Sequence, residues 1–225
     1  MAAFAVTGCA VLDGTSRERR ENHHVLVEGG HIREVSDRPI KSATAETIDL
    51  AGRILMPGLI DAHVHVLAVD VPLARLSDRP VTLLALQAAR VLEGMLQRGF
   101  TTIRDAGGAD GGLAEAVEKG LVPGPRIFPS GMALSQTGGH GDVRPRTQSA
   151  VTCACCERGI NLSRIADGVA ECRRAAHDEL RKGATQIKIL ASGGVASTYD
   201  PIRNLQSAKR KCARSSRRRR PGTPR

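Results

Sequence analysis

The chain has 225 residues, of which 41% are apolar, enough for one large domain or two small ones with a buried core. No run approaches the roughly 18 consecutive apolar residues that suggest a transmembrane helix, so we expect no membrane span. The first residues lack the charged and apolar regions of a signal peptide. These features predict a cytoplasmic protein whose six cysteines are reduced thiols.

The net charge of +10 is concentrated at one end of the chain. Nine of the 33 Lys and Arg lie in residues 208–225, which contain no acid, and the remainder carries 24 basic against 23 acidic residues. The basic end could bind polyanions in a salt-sensitive way. However, the chain has no Trp, one Tyr and three Phe, and none is interleaved with the basic run to stack on bases. We therefore expect no specific nucleic-acid partner, and polyanion binding is one alternative function.

The first part of the chain is predicted to be a small β domain, residues 1–56. Residues 4–12 and 24–35 have the composition of β-strands, and Gly29-Gly30 suits a hairpin turn within the second stretch. Pro57-Gly58 then interrupts a third apolar stretch and indicates a junction.

Strands and helices alternate after this junction. The pattern predicts helices over 80–98, 112–119 and 164–182, strands over 101–106, 126–131 and 186–191, and a polar loop over about 132–163. Apolar spacing gives the first helix a core face of Leu84, Ala88, Val91 and Met95, and the last helix one of Val169, Cys172, Ala176 and Leu180. Such alternation is typical of a parallel sheet built from βαβ units, which we assign to residues 57–206.

Two histidines lie in an apolar strand, residues 59–66 (LIDAHVHV). Residues two apart in a strand project from the same face, so His63 and His65 are predicted to point together. One interpretation is a pair of half-buried imidazoles that are hydrogen-bonded to the backbone. The other is a metal site, which is favoured because the pair lies near the end of the first strand of a βα series.

Four segments resemble one protein family in the correct order. "MPGLIDAHVHV" resembles the first metal-binding strand of the amidohydrolase superfamily. "GFTTIRDAGG", "ALSQTGGHGD" and "GATQIKILASGGVAS" are similar to later segments of its prolidase-like, or Xaa-Pro dipeptidase-like, branch. The resemblance implies an α/β fold in which residues 57–206 are the N-terminal half, strands 1 to 4, of a (β/α)8 metal-dependent hydrolase barrel. It also implies that residues 1–56 are a small β-sandwich-type domain.

The resemblance also implies a site with two divalent metals, which we expect to be zinc in a complete family member. His63 and His65 match two metal ligands, and Lys188 matches a lysine that is carboxylated and bridges the metals. A lysine ammonium has no acceptor and cannot bind a cation, which is why the modification would be needed. The alternative for Lys188 is a snorkelling or ion-paired lysine. His140 is expected near the substrate, although a surface loop is an equal alternative.

The implied reaction is hydrolysis of a C–N bond in a small dipeptide or an N-acyl amino acid. In the family, an aspartate after the eighth strand acts as the base, and full-length relatives are expected to be homo-oligomers. Since only four strands are predicted here, we expect the 225-residue chain to bind at most one metal weakly and to be an inactive fragment. A catalytically dead scaffold is the remaining alternative.

Residues 207–225 are predicted to be a basic, disordered tail that is read out of frame. The segment has no helical or strand periodicity, and its charge differs abruptly from that of the preceding chain. Codons compatible with it, read one base earlier, permit a helix with a capping box. Sequencing the gene past codon 206 tests this expectation.

Overall fold

The computed structural model describes residues 3–69, 73–148, 159–195 and 200–206. The described residues form two compact units that meet in sequence between Gly58 and Leu59, two residues beyond the predicted boundary. The basic segment from residue 207 lies outside the described residues, and so does its predicted disorder. Of the helices in the described ranges, none is long and apolar enough to cross a lipid bilayer.

The first unit contains one five-stranded sheet. Its strands are β1 (Phe4–Val11), β2 (Arg20–Glu28), β3 (His31–Ser36), β4 (Glu46–Asp49) and β5 (Ile54–Leu55). The order is β3-β2-β1-β4, and β5 also pairs with β1. The hairpin predicted at Gly29-Gly30 is present as the antiparallel β2–β3 pair, and both glycines have positive φ. The described residues of this unit form a single sheet rather than the two layers of a sandwich.

The second unit begins with two βαβ repeats. The parallel strands β6 (Leu59–Val64), β7 (Phe100–Asp105) and β8 (Arg126–Phe128) lie side by side in chain order. The helices α1 (Val81–Gln97) and α2 (Gly111–Glu118) connect them, and a short 3-10 helix (Leu73–Asp78) precedes α1. The hydrophobic core between these strands and helices consists of Val66, Leu92, Met95, Ile103, Ala109 and Ile127.

Helix α1 has the predicted bounds within one residue, because Pro80 starts it and Gly99 ends it with a φ of +89°. One predicted core position is wrong. Val91 is exposed, and Leu92 is buried beside Leu84, Ala88 and Met95. Leu92 lies four residues after Ala88 and Val91 only three. Four residues are closer to one helical turn of 3.6 residues, so Leu92 falls on the same face as Ala88.

The region after β8 differs from the prediction. The polar loop contains a strand, β9 (Ala133–Ser135), which pairs in parallel with β10 (Ser163–Ile165). Helix α3 (Gly168–Arg181) therefore begins four residues later than predicted. Its buried face comprises Cys172, Ala175, Ala176 and Glu179 rather than Val169 and Leu180. The loop residues 149–158 lie outside the described residues.

The predicted last strand, 186–191, is reduced to an isolated bridge between Leu134 and Ile189. The Leu134 N–H donates to the Lys188 carbonyl at 2.9 Å, and the Leu190 N–H donates to the Leu134 carbonyl at 3.0 Å. Only Leu134 of β9 takes part in this bridge. The Ala133 N–H and the Ser135 carbonyl instead form hydrogen bonds with Leu162 and Ala166, which flank β10. The bridge still places Lys188 in parallel alignment next to β9.

Candidate metal and substrate site

His63 and His65 lie together where β6 ends. Their ring centroids are 5.4 Å apart at an interplanar angle of 63°, as the predicted i, i+2 spacing requires. The backbone N–H of His63 donates to Asp61 Oδ1 at 3.0 Å, which holds the strand end locally. Neither ring stacks flat on the other, so each keeps its own edge for a ligand.

His65 is oriented by a backbone contact. Its Nδ1 lies 3.0 Å from the carbonyl oxygen of Gly107, in the loop after β7. A carbonyl can only accept, so Nδ1 carries the hydrogen, and in the neutral ring the lone pair is then on Nε2. Histidine ligands of metals commonly have this arrangement, in which one ring nitrogen donates to a backbone carbonyl and the other binds the ion.

Lys188 comes close enough to His63 to affect the protonation of its ring. The positive charge of Lys188 is the main cause that lowers the pKa of His63, followed by burial and by the charges of His65 and Arg104. A lowered pKa keeps the His63 imidazole neutral at pH 7, and the neutral ring is the form that binds a metal.

Burial lowers the pKa of Lys188 itself, and the nearby positive charge of Arg104 lowers it further. Arg104 is held in place by donating from Nε to the Ala62 carbonyl at 2.8 Å. Among the described residues no carboxylate pairs with Lys188, so the ion-paired alternative is not what the structure contains. A lysine that loses its proton readily is the one able to accept CO2 and become an anionic oxygen ligand.

This donor set fits a metal only if Lys188 contributes. Within the described ranges, no group of three or more His, Cys, Asp or Glu side chains could hold a metal ion. Two imidazoles and a carboxylated lysine would supply three ligands, two nitrogen donors and one oxygen donor, of the kinds that zinc accepts.

Arg104 and Asp105 are neighbours in β7 but form no ion pair with each other. Adjacent residues of a strand point to opposite faces, and these two have different partners. Arg104 donates to Ala62, whereas both oxygens of the buried Asp105 accept backbone N–H groups. Burial raises the pKa of Asp105, against the opposing effect of these hydrogen bonds and of nearby His65.

His140 is separate from the histidine pair and has its own polar surroundings. Its backbone N–H donates to Gln206 Oε1 at 2.8 Å, and the Gln206 amide nitrogen donates to Asp200 Oδ2. His140 Nδ1 and Asp200 Oδ1 are buried, lie 4.0 Å apart and have no hydrogen-bond partner among the residues that the structure describes. If His140 lay in an exposed surface loop, its Nδ1 would not be buried.

Glycines near His140 let neighbouring segments of the chain pack closely against one another. A Cβ on Gly194 would lie 2.2 Å from His140 Cε1, and a Cβ on Gly141 would lie 2.6 Å from Ser163 Oγ. These contacts pack the 138–142 segment against the segments at 163 and 194.

Replacing Lys188 by methionine is expected to stabilise the metal-free protein at pH 7. The pKa of Lys188 is lower in the folded than in the unfolded chain, where it is about 10.4, so the unfolded chain binds this proton more tightly and protonation favours unfolding. This penalty is present below the lowered pKa and disappears as the pH rises past the unfolded value. Urea unfolding at pH 7 and pH 10 should therefore show a gain from Lys188→Met that shrinks at the higher pH.

Lys182→Met is the matched control for this measurement. Lys182 is bound to Asp178 at 2.8 Å, and its loss should lower stability slightly or leave it unchanged. Destabilisation by Lys188→Met at pH 7 would contradict the prediction.

The chain belongs to the amidohydrolase family, whose profile matches residues 54–215, most of the sequence. The match ends inside the basic segment that was predicted to be out of frame. An ochratoxinase from Aspergillus niger is 38% identical over 160 residues, which cover 65% of this chain and 33% of that protein.

Solved structures agree with this assignment. The crystal structure of a prolidase complexed with N-methylphosphonate-L-proline is 50% identical, with a TM-score of 0.90, over 95% of this chain and 52% of that one. A Xaa-Pro dipeptidase with bound methionine has a TM-score of 0.79 over 95% of this chain and 53% of that one. At 24% identity it shows the fold alone. The chain therefore spans about half the length of these structures and a third of the ochratoxinase.

Sequence reasoning did not identify Asp200 or Gln206 as parts of these sites, and it did not predict that Asp105 holds the backbone beside His65. Asp105 precedes two glycines after a strand, in "RDAGG", and this was the available signal for a residue that holds a tight loop. Asp200 and Gln206 act on a histidine at least 60 residues earlier in the chain, and no local pattern predicts such a contact.

Proposed function

We propose that this chain carries part of the active site of a metal-dependent amidohydrolase that cleaves an amide or peptide bond of a small dipeptide or N-acyl amino acid. The observation that carries the proposal is the His63–His65 pair next to a lysine of lowered pKa that has no carboxylate partner in the described part of the chain. The similarity to a prolidase and to an ochratoxinase supports the substrate class.

In this proposal His63, His65 and a carboxylated Lys188 hold a divalent metal, zinc being the candidate, and a complete site would hold two. The metal would polarise the scissile carbonyl and lower the pKa of a bound water. The chain's own contribution is to keep the imidazole of His63 neutral and to present Nε2 of His65. Arg104, by its charge, favours the neutral amine of Lys188 that reacts with CO2.

His140 is proposed to contact the substrate near its carboxylate. The buried Asp200 lies on the Nδ1 side of the ring, with its Oδ1 4.0 Å from Nδ1, and it leaves Nε2 as the ring nitrogen that can contact a substrate. Gln206 fixes the backbone of His140 and one Asp200 oxygen at the same time. An imidazolium at this position would pair with a carboxylate group.

We further propose that β6, β7, β8 and the segment 186–191 are the first four strands of an eight-stranded barrel. The outer edge of β6 supports this, since Ile60 is 69% exposed on a strand that pairs only with β7 among the described strands. The 225-residue chain by itself is proposed to bind at most one metal and to turn over little or no substrate. We place the protein in the cytoplasm, with homo-oligomeric full-length relatives.

The test is an assay of the zinc-loaded chain against a panel of Xaa-Pro dipeptides and N-acyl amino acids. The chain is assayed alone and after co-expression with the second half of the 50% identical prolidase. We expect zinc binding but little turnover alone, and dipeptide hydrolysis in the co-expressed pair that His63→Ala abolishes. A wild-type chain that binds no zinc would overturn the proposed function, and robust turnover by the chain alone would overturn its proposed inactivity.

A further inference from the structure

Asp105 is a fully buried carboxylate with an unusual set of partners. It is the last residue of β7, pairs in register with Val64 of β6 and has an exposure of 0%. Among the described residues it forms no ion pair with Lys or Arg, although burying an unpaired carboxylate is costly. Its Oδ2 accepts the Val66 N–H at 2.9 Å. Its Oδ1 accepts the N–H groups of Gly107 at 2.9 Å and Ala109 at 3.2 Å.

Two of these three donors belong to residues joined to His65, Val66 through the chain and Gly107 through a hydrogen bond. Val66 directly follows His65 in the chain, so the Oδ2 bond fixes the backbone that carries the ring. Gly107 supplies the carbonyl that accepts from His65 Nδ1 at 3.0 Å, so the Oδ1 bond fixes the peptide that the ring contacts. One side chain thus ties together the two ends of the hydrogen bond that decides which ring nitrogen carries the proton.

The loop at Gly107 can hold this geometry only with a glycine. Its φ is +157°, and an added Cβ would lie 2.8 Å from the Leu162 carbonyl and 3.3 Å from His65 Cε1. A carboxylate that merely capped the strand end would not require the loop to come so close to an imidazole. The close approach of Gly107 and the hydrogen bonds of Asp105 therefore both constrain the His65 ring.

We propose that Asp105 is a positioning residue that fixes His65 as the Nδ1–H tautomer, with Nε2 directed to the metal. This inference rests on the proposed metal-binding role of His65. The role of Asp105 in setting the tautomer, however, is a property of the metal-free protein and can be measured there.

The experiment uses the full chain with ¹⁵N-labelled histidine. The tautomer of His65 is read from imidazole ¹⁵N shifts in the metal-free protein, with His65→Ala identifying its signals. Zinc affinity is measured in parallel by competition with a chromophoric chelator. Asp105→Asn retains the volume but replaces one acceptor by a donor, so it cannot accept all three N–H groups. We expect the single Nδ1–H tautomer to become a mixture and the zinc Kd to rise about 10–100-fold, as for loss of other partners that orient a ligand.

Glu179→Gln is the matched control. Glu179 is also buried, accepts the Met132 N–H at 3.1 Å and binds Arg164 at 2.9 Å, but it contacts neither His65 nor its loop. We expect it to lower stability and to leave the His65 tautomer and the zinc affinity unchanged. If both variants shift the tautomer equally, or if Asp105→Asn shifts neither quantity, the proposal is overturned.

The wild-type protein gives a readout that does not depend on the folding of a variant. An Nε2–H ring at His65 in the metal-free wild type overturns the proposal, and an Nδ1–H ring supports it. If the wild-type chain binds no zinc, the proposed function fails. The tautomer comparison between wild type, Asp105→Asn and Glu179→Gln still decides the role of Asp105.

Discussion

Replacing His65 by alanine should weaken zinc binding by the 225-residue chain more than the ~100-fold that loss of an outer-shell partner can cost. The proposed site has three ligands among the described residues, and His65 is the one whose Nδ1 is bonded to the Gly107 carbonyl. Removing one of three donors leaves the ion held mostly by water. The measurement is a competition titration with a chromophoric chelator at pH 7, with circular dichroism to confirm that the variant is folded.

His177→Ala is the control for this titration. His177 is exposed on α3, in the same unit, and is not part of the histidine pair. It should leave zinc affinity unchanged. Equal losses from the two variants would mean that zinc binds nonspecifically to surface histidines, and the assignment of His65 as a ligand would be wrong.

Local signals in the sequence predicted much of the secondary structure. The α1 bounds follow from Pro80 and Gly99, and the β2–β3 hairpin follows from Gly29-Gly30, because these residues restrict or release the backbone at defined points. The alternation of strands and helices correctly predicted the parallel order β6-β7-β8.

Nonlocal pairing explains what the sequence did not predict. Strands β9 and β10 have three residues each and are about 30 positions apart, so neither is long enough to show a period. The start of α3 was placed too early for the same reason, since Ser163–Ile165 pairs with Ala133–Ser135 instead of continuing the helix. Such segments take their structure from their partners.

The candidate site, too, could be predicted from the sequence only in part. The proximity of His63 and His65 follows from strand geometry alone, and the structure places the rings 5.4 Å apart. The assignments of Lys188 and His140 came from a resemblance, and their metal and substrate roles remain proposals. Asp105 reaches Val66 across 39 positions, and a single sequence gives no sign that its carboxylate would hold the backbone beside His65.

Replacing Leu92 by alanine should lower the free energy of unfolding by about 2–5 kcal/mol. Leu92 is 0% exposed on α1 and packs in one cluster with residues of β7, β8 and the segment after β6. The substitution removes apolar burial and leaves a cavity between helix and sheet, where Gly124 already allows close approach to Leu92. Urea denaturation followed by circular dichroism gives the change in midpoint and slope.

Leu86→Ala makes the same chemical change on the opposite face of the same helix. Leu86 is 69% exposed, so its replacement should alter stability by no more than about 0.5 kcal/mol. The two variants have the same helix propensity change, and their difference therefore reports packing of α1 against the sheet that carries His63 and His65. Comparable losses from Leu92→Ala and Leu86→Ala would show that α1 is not packed in the orientation described. The strand ends that present the two histidines would then lack the support on which the proposed site depends.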